Sequence, residues 1–162
     1  MRLLKYEKDD FMIEERLKEL NITIPEAPKP LAAYVPAVQS GKLVYTSGQL
    51  PFVNGVLTAV GKVGFAVSTE EAKKAAAVCF INCLSAVKSI AGSLDNISRI
   101  VKITVFINSA DGFTNQPEAA NGASELALSI FGDNGKHARS AVGVCELPRD
   151  AAVEIELIAE LK

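Results

Sequence analysis

The stretch KHARSAVGVCELPRDAAVEIELIAEL, residues 136–161, decides how the chain can fold. Apolar and polar residues alternate on both sides of a turn-like segment, Leu147-Pro148-Arg149-Asp150, and this pattern predicts a final hairpin of two strands. Arg139 would lie on the first strand, with Glu154 and Glu156 on the second. Two interpretations follow: a cross-strand ion pair on a sheet surface, or an arginine that binds an anion.

Two strand patterns lie upstream of the predicted hairpin. Residues 43–47 alternate in polarity and are followed by Gly48 and, at position 51, a proline. Residues 100–107, IVKITVFI, are β-branched at nearly every position. The odd positions of this second strand (Val101, Ile103, Val105 and Ile107) form an apolar face, which we expect to meet the helices.

Two helices are predicted between these strands and the hairpin. A capping box at residues 68–71 begins a helix that should run over about residues 69–90. The second helix is predicted over 117–131, with a proline at its start and Gly132 after its end. Together the elements predict an α+β domain whose mixed sheet is covered on one face by two helices. The other face would be left for another subunit.

An N-terminal extension, residues 1–30, is predicted to precede the domain, residues 31–162. Its segment DDFMIEERLKEL, residues 9–20, has the apolar spacing of a short amphipathic helix that includes Phe11. The segment PEAPKP, residues 25–30, predicts an extended, proline-rich linker.

The composition excludes several classes of protein. A chain of 162 residues that is 49 % hydrophobic fits one domain, and its net charge of −2 gives no basic footprint for nucleic acid. We find no apolar run of the about 20 residues that a membrane-spanning helix needs, and acids follow the N-terminus where a signal peptide would be apolar. The expectation is a soluble cytoplasmic protein without membrane or nucleic-acid partners.

The three cysteines predict neither a disulfide framework nor a metal site. Cys79 and Cys83 are one helical turn apart without a nearby histidine or acid, and Cys145 leaves the number odd. We expect the first two to pack in the core.

The familiar catalytic motifs are absent. The sequence has no phosphate-binding glycine loop, and Ser47 lacks the flanking glycines of a nucleophile elbow. His137 is the only histidine. Arg139 is the best candidate for ligand binding, because a guanidinium offers two parallel hydrogen bonds to a carboxylate. The residues alone leave the surface ion pair open as well.

Three segments carry a resemblance to a known family. They are LAAYVPAVQSGKLVYTSGQLP (31–51), SLDNISRIVKITVFINSADGF (93–113) and ARSAVGVCELPRDAAVEIE (138–156). In order and spacing they resemble the YjgF-like family of reactive-intermediate imine deaminases, RidA, also known as L-PSP endoribonucleases or translation inhibitors. The segments GKVG and HARSAVGV are most similar to the longer branch of that family.

This resemblance implies a chorismate-mutase-like α+β fold that forms a homotrimer, with a cleft between each pair of subunits. It also implies roles for individual residues. Arg139 would bind the substrate carboxylate, and Glu154 would position a water molecule. The pocket would be completed by backbone groups at Ser47 and Gly48 and, from the neighbouring subunit, by Tyr34 and Asn121.

Several of these residues also have simpler interpretations. Tyr34 could be a buried ring, and Ser47 and Gly48 could merely end a strand. Asn121 is unfavourable inside a helix, which indicates either a specific hydrogen bond or a slight kink.

Two positions depart from the family pattern. Ala141 stands where many family members have a cysteine, so no thiol can act there. His137 precedes Arg139 on the same strand face, as a residue of the rim or as an acid–base group.

The implied reaction is hydrolysis of a 2-imino or 2-enamino acid, such as 2-aminoacrylate, to a 2-oxo acid and ammonia. No metal or organic cofactor is implied, and the partners would be small 2-imino and 2-oxo carboxylic acids and further copies of the chain. Two alternatives stay open: a small-carboxylate-binding regulatory protein without turnover, and an endoribonuclease or translation inhibitor.

Overall fold

The computed structural model describes residues 12–27 and 33–162, and within them the chain forms three α-helices and seven strands. The helices are α1 (Ile13–Glu19), α2 (Thr69–Ala91) and α3 (Gln116–Phe131). The strands are β1 (Ala37–Ser40), β2 (Leu43–Thr46), β3 (Phe52–Val53), β4 (Val56–Leu57), β5 (Ile97–Asn108), β6 (Ala138–Val144) and β7 (Val153–Leu161).

The five longer strands form one mixed sheet in the order β1-β2-β7-β5-β6, and β3 and β4 form a separate small hairpin. β7 is antiparallel to both of its neighbours, whereas β5 and β6 are parallel. A parallel pair needs a crossover connection, which α3 provides. The predicted mixed α+β architecture is confirmed.

The predicted final hairpin is wrong, because β5 lies between β6 and β7. Four of the five inward-facing residues of β7 are buried (Val153, Ile155, Leu157 and Ala159), which suits a strand paired on both sides. β6 is partly or fully exposed along its whole length and occupies an edge. The segment at 147–150 is a short 3₁₀ turn, within the connection that leads from the edge back to the middle of the sheet.

The helix-facing side of β5 is predicted correctly at three of four positions. Ile103, Val105 and Ile107 are fully buried, but Val101 is only half-buried. A bulge between Ile100 and Lys102 shifts the alternation, so that Ile100 is buried instead.

α2 and α3 pack against each other and on one face of the sheet. α2 begins with the predicted capping box, in which Ser68 Oγ accepts from the Glu71 backbone N–H and the Glu71 carboxylate accepts from the Ser68 N–H. Cys79 and Cys83 are buried and donate to β7 carbonyl oxygens, as their core location predicts. α2 is long and apolar enough to cross a membrane by length and composition alone, but half of its most apolar stretch is buried in this fold.

α1 packs on the same core. Ile13 and Leu17 are buried, and Glu14 forms an ion pair with Lys88 of α2, with 2.8 Å between Oε1 and Nζ. The predicted short helix is confirmed from residue 13 onward. Phe11 and the proposed boundary between residues 30 and 31 lie outside the described residues.

Candidate functional site

Arg139 lies on the edge strand β6 and shares the helix-facing side of Ile103, its partner on β5. Its Nη1 donates to Asn121 Oδ1 at 2.8 Å and to Ser124 Oγ at 3.1 Å, both on α3. Within residues 12–27 and 33–162, its Nε and Nη2 have no hydrogen-bond partner and the guanidinium has no ion pair. This partly buried cation keeps one edge of its fork available for a planar carboxylate.

His137 extends the same group of side chains. Its Nε2 lies 3.0 Å from Ser124 Oγ, and its Nδ1 lies 2.6 Å from the carbonyl oxygen of Gly135. The histidine therefore contacts Ser124, which holds Arg139, and forms no hydrogen bond with Arg139 itself.

On its other side, Asn121 is fixed by charged residues. Asn121 Nδ2 donates to Glu118 Oε2 at 3.1 Å, and Lys73 of α2 bridges Glu118 and Glu125 at 3.3 and 3.0 Å. These acids raise the pKa of Lys73, chiefly through the hydrogen bond to Glu125. Asn121 is thus oriented to offer its oxygen to the guanidinium.

Glu154 lies on the other face of the sheet, beside Phe106 of β5. Its carboxylate sits against the backbone of Gly48, where a Cβ atom would be 1.9 Å from Oε1. Burial raises the pKa of Glu154, and the charge of Glu156 on the same strand adds to the effect. The raised pKa makes this half-buried carboxylate a better proton acceptor than an exposed glutamate.

Ser47 fixes the segment that carries Tyr34. Its Oγ donates to the Val35 carbonyl oxygen at 2.7 Å, and its N–H donates to that of Pro36 at 2.8 Å. Tyr34 is 67 % exposed, so it is not a buried ring.

Tyr34 and Gly48 line a pocket of about 680 Å³. Phe52, Asn82 and Arg149 are also part of its wall, and the Arg149 guanidinium lies 5.6 Å from the centre of the Phe52 ring. The volume exceeds what a three-carbon or four-carbon acid needs.

The predicted site residues therefore fall into two groups within one chain. We call the first the arginine group (Asn121, Ser124, His137 and Arg139) and the second the glutamate group (Tyr34, Ser47, Gly48 and Glu154). Arg139 and Glu154 are separated by β5 and face opposite sides of the sheet. The strand spacing and register place their Cα atoms about 14 Å apart. The predicted alternative of a cross-strand ion pair between them is wrong.

Two further expectations can be compared with this arrangement. Asn121 contacts Arg139 within one chain, so the expectation that it joins the arginine from a neighbouring subunit is wrong for this contact. Ala141 is on β6, two residues beyond Arg139, and packs partly against the core.

Ser124 is the residue that the sequence interpretation missed. It lies three residues after Asn121, which places both side chains on one face of α3. The three-residue spacing between Asn121 and Ser124 is the sequence feature that could have identified Ser124.

Comparison with known proteins identifies the family. A family profile described as Endoribonuclease L-PSP matches residues 24–161. Protein TCP17 of Trypanosoma cruzi is 43 % identical over 152 residues, which cover 92 % of this chain and 94 % of that protein. The 2-iminobutanoate/2-iminopropanoate deaminase of Dermatophagoides farinae is 35 % identical over 141 residues, covering 87 % and 95 % of the two chains.

Solved structures agree with this family. The protein Atu1372 of unknown function from Agrobacterium tumefaciens has a TM-score of 0.85 and 44 % identity, covering 93 % of this chain and 92 % of that one. TdcF of E. coli, solved with bound serine, has a TM-score of 0.56 and 29 % identity, covering 85 % and 94 %. Since the family profile spans most of the chain, the protein belongs to the L-PSP family, the YjgF/RidA family that its motifs resemble.

Proposed function

We propose that the protein hydrolyses 2-imino acids to 2-oxo acids and ammonia, at sites completed between copies of the chain in a homotrimer. The observation that carries this proposal is the guanidinium of Arg139, held through Nη1 while its Nε–Nη2 edge has no partner in the described chain. A fixed, uncompensated cation of this kind selects a small carboxylate.

The distance between the arginine group and the glutamate group supports assembly of several copies of the chain. A molecule of about six or seven heavy atoms cannot reach both Arg139 and Glu154 of one chain across about 14 Å. The open face of the sheet also exposes apolar side chains, with Val38 53 %, Val142 44 % and Tyr45 38 % exposed. A second copy that covers this face and reaches the edge strand β6 would bury these side chains and bring its glutamate group toward the arginine group at that edge.

The chemistry follows from the residue types. Arg139 would hold the carboxylate, leaving the neighbouring imine carbon open to water. Glu154, as a carboxylate, would take a proton from the attacking water and deliver it to nitrogen, which gives the carbinolamine. A second transfer, from the carbinolamine hydroxyl to nitrogen, lets the C–N bond break, so that ammonia leaves and the 2-oxo acid forms. Water is the only co-reactant, and the raised pKa of Glu154 favours its reprotonation in each cycle.

The other site residues would shape the pocket. In this proposal Asn121 orients Arg139, Ala141 leaves room beside it, and the Gly48 backbone allows Glu154 to approach. Tyr34, held in place through Ser47, would line the wall. His137 would act on the arginine only through Ser124.

The relatives support the reaction at the level of the family. One relative is named as a deaminase of 2-iminobutanoate and 2-iminopropanoate, and another was solved with serine, itself a small carboxylate. RNA cleavage, the activity in the family description, is less suited to a chain with a net charge of −2 and one histidine. A cytoplasmic location stays a prediction.

The test is release of 2-oxo acid from 2-aminoacrylate that a serine dehydratase generates in the same solution. Wild type should accelerate the release, and Arg139→Ala should abolish the acceleration. Arg99→Ala is the matched control, because Arg99 is an exposed arginine near the far end of β5. Equal rates with and without protein would refute deamination of this substrate.

Two further measurements separate the alternatives. Saturable binding of 2-oxobutanoate without turnover would favour the binding protein, and RNA cleavage that weakens steeply with salt would favour the nuclease. Light scattering should give a mass of about three chains, for a homotrimer with closed rotational symmetry, the state that the family resemblance implies. A monomer would refute the shared site.

A further inference from the structure

We propose that Ser124 and His137 are positioning residues for Arg139, through a directed chain of hydrogen bonds that starts at the Gly135 carbonyl and ends on the guanidinium. The chain of contacts is given by three distances: 2.6 Å from Gly135 O to His137 Nδ1, 3.0 Å from Nε2 to Ser124 Oγ, and 3.1 Å from Oγ to Arg139 Nη1. The kinetic part of its test rests on the proposed function, whereas the spectroscopic part does not.

The direction of each hydrogen bond follows from the donors and acceptors available. The carbonyl oxygen of Gly135 can only accept, so Nδ1 of His137 must carry the proton. In the neutral ring Nε2 is then an acceptor, and it takes the hydroxyl proton of Ser124. The lone pairs of Ser124 Oγ are left for Arg139, which can only donate.

This arrangement uses both hydrogens of Nη1. One is donated to Ser124 Oγ and the other to Asn121 Oδ1, so the guanidinium plane is fixed by two residues one helical turn apart on α3. Ordering a long arginine side chain before the ligand arrives removes part of the entropy cost of binding. Ser124 and His137 thus contribute to carboxylate affinity although neither lies on the free edge of the fork.

The proposal makes a claim about one proton that can be observed directly. His137 is the only histidine of the chain, so tag-free protein labelled with ¹⁵N gives one pair of imidazole nitrogen signals without assignment. Long-range ¹H–¹⁵N spectra of the neutral ring should show the Nδ1–H tautomer, the reverse of the form that free imidazole side chains favour in water. A predominant Nε2–H tautomer in wild type would overturn the proposal.

Affinity provides the second readout. Ser124→Ala should weaken binding of 2-oxobutanoate and raise KM by about fivefold to twentyfold, the effect of losing one hydrogen bond to a partly exposed charge, with kcat within about twofold. Ser124→Thr keeps the hydroxyl and should restore affinity. Ser129→Ala, another serine of α3, is the control and should change neither value.

The double variant tests the order of the contacts. His137→Leu should weaken binding less than Ser124→Ala, and His137→Leu combined with Ser124→Ala should bind no more weakly than Ser124→Ala alone, because the histidine acts through the serine. Unchanged affinity in Ser124→Ala, or additive losses in the double variant, would contradict the proposal.

The outcomes also separate this proposal from the proposed function. If 2-oxobutanoate binds and the variants behave as expected but no 2-aminoacrylate is turned over, the deaminase is refuted and the positioning role stands. If no carboxylate binds to wild type, the carboxylate site is refuted, and the tautomer of His137 alone decides the positioning role.

Discussion

Replacing Gly48 by alanine should inactivate the protein while leaving it folded. A Cβ atom at this position would lie 1.9 Å from Glu154 Oε1 and 2.8 Å from its Cδ, against the 3.4 Å at which ordinary contacts begin. The carboxylate oxygen must therefore move by about 1.5 Å or more, a distance at which misplaced catalytic groups commonly lose about a hundredfold in rate. Gly48 does not have a left-handed φ, so alanine adds no backbone strain.

The assay is turnover of 2-aminoacrylate together with thermal unfolding, for Gly48→Ala, Glu154→Gln and the two combined. We expect a fall in kcat of about a hundredfold or more in each single variant, as for loss of a general base, and a melting temperature within a few degrees of wild type. The double variant should be no slower than Glu154→Gln, because both changes remove the same group. Near-normal turnover in Gly48→Ala, or multiplicative losses in the double variant, would refute the reasoning.

Three other predictions concern the core and its ionisable groups. In the native protein a thiol reagent at pH 8 should modify Cys145 alone, and after unfolding it should modify all three cysteines, as mass spectrometry of the adducts can show. The reason is that burial raises the pKa of Cys83 to about 12 and the pKa of Cys79 well above its normal value. Gly122→Ala should lower the free energy of unfolding by about 1–3 kcal/mol in urea melts, although alanine favours helices, since its Cβ would lie 1.8 Å from the Lys73 carbonyl oxygen of α2. Glu154→Gln should raise the melting temperature at pH 7 but not at pH 4. A carboxyl group whose pKa is raised on folding destabilises the folded protein as the pH rises above the unfolded pKa of 4.5, and glutamine removes this loss of stability. An equal change in melting temperature at both pH values would contradict this sign.

Local signals predicted the elements of the fold well. The capping box at Ser68 fixed the start of α2 correctly, and Gly132, with a left-handed φ, follows the end of α3 as its position indicated. The β-branched run after residue 97 correctly predicted strand β5. These features depend on residues that are close together in the sequence, so the sequence alone can predict them.

The partners of the strands could not be predicted in the same way. The turn-like residues at 147–150 and the alternation on both sides are compatible with a hairpin and equally with a connection that crosses β5. Which one forms depends on the competition for the middle of the sheet, and β7, with a largely buried face, occupies it. The bulge that exposes Val101 and buries Ile100 is likewise a property of the paired strands.

The same topology explains why the predicted site residues fall into two separate groups within one chain. A hairpin about residues 147–150 would have put Arg139 and Glu154 on the same face of the sheet, with Glu156 diagonally across from the arginine, where an ion pair would neutralise both charges. The position of β5 between them leaves Arg139 without a carboxylate in the described chain, and Asn121 and Ser124 of α3 hold it instead. With the arginine and the glutamate on opposite faces, neither charge neutralises the other within one chain.

The register of β2 against β7 explains how Glu154 is held in place on its face. Four residues separate Tyr45 from Gln49, but three separate their partners, Ile158 and Ile155. The extra residue makes a bulge on the β2 side, opposite Glu156 and Leu157 and next to Glu154, and Gly48 lies in it without a side chain to fill the space. Because β7 is paired with β5 on its other edge, the carboxylate cannot gain room by a shift of its own strand. The bulge thus creates a fixed recess for one carboxylate, which is the physical reason that a single methyl group at position 48 should be sufficient to displace it.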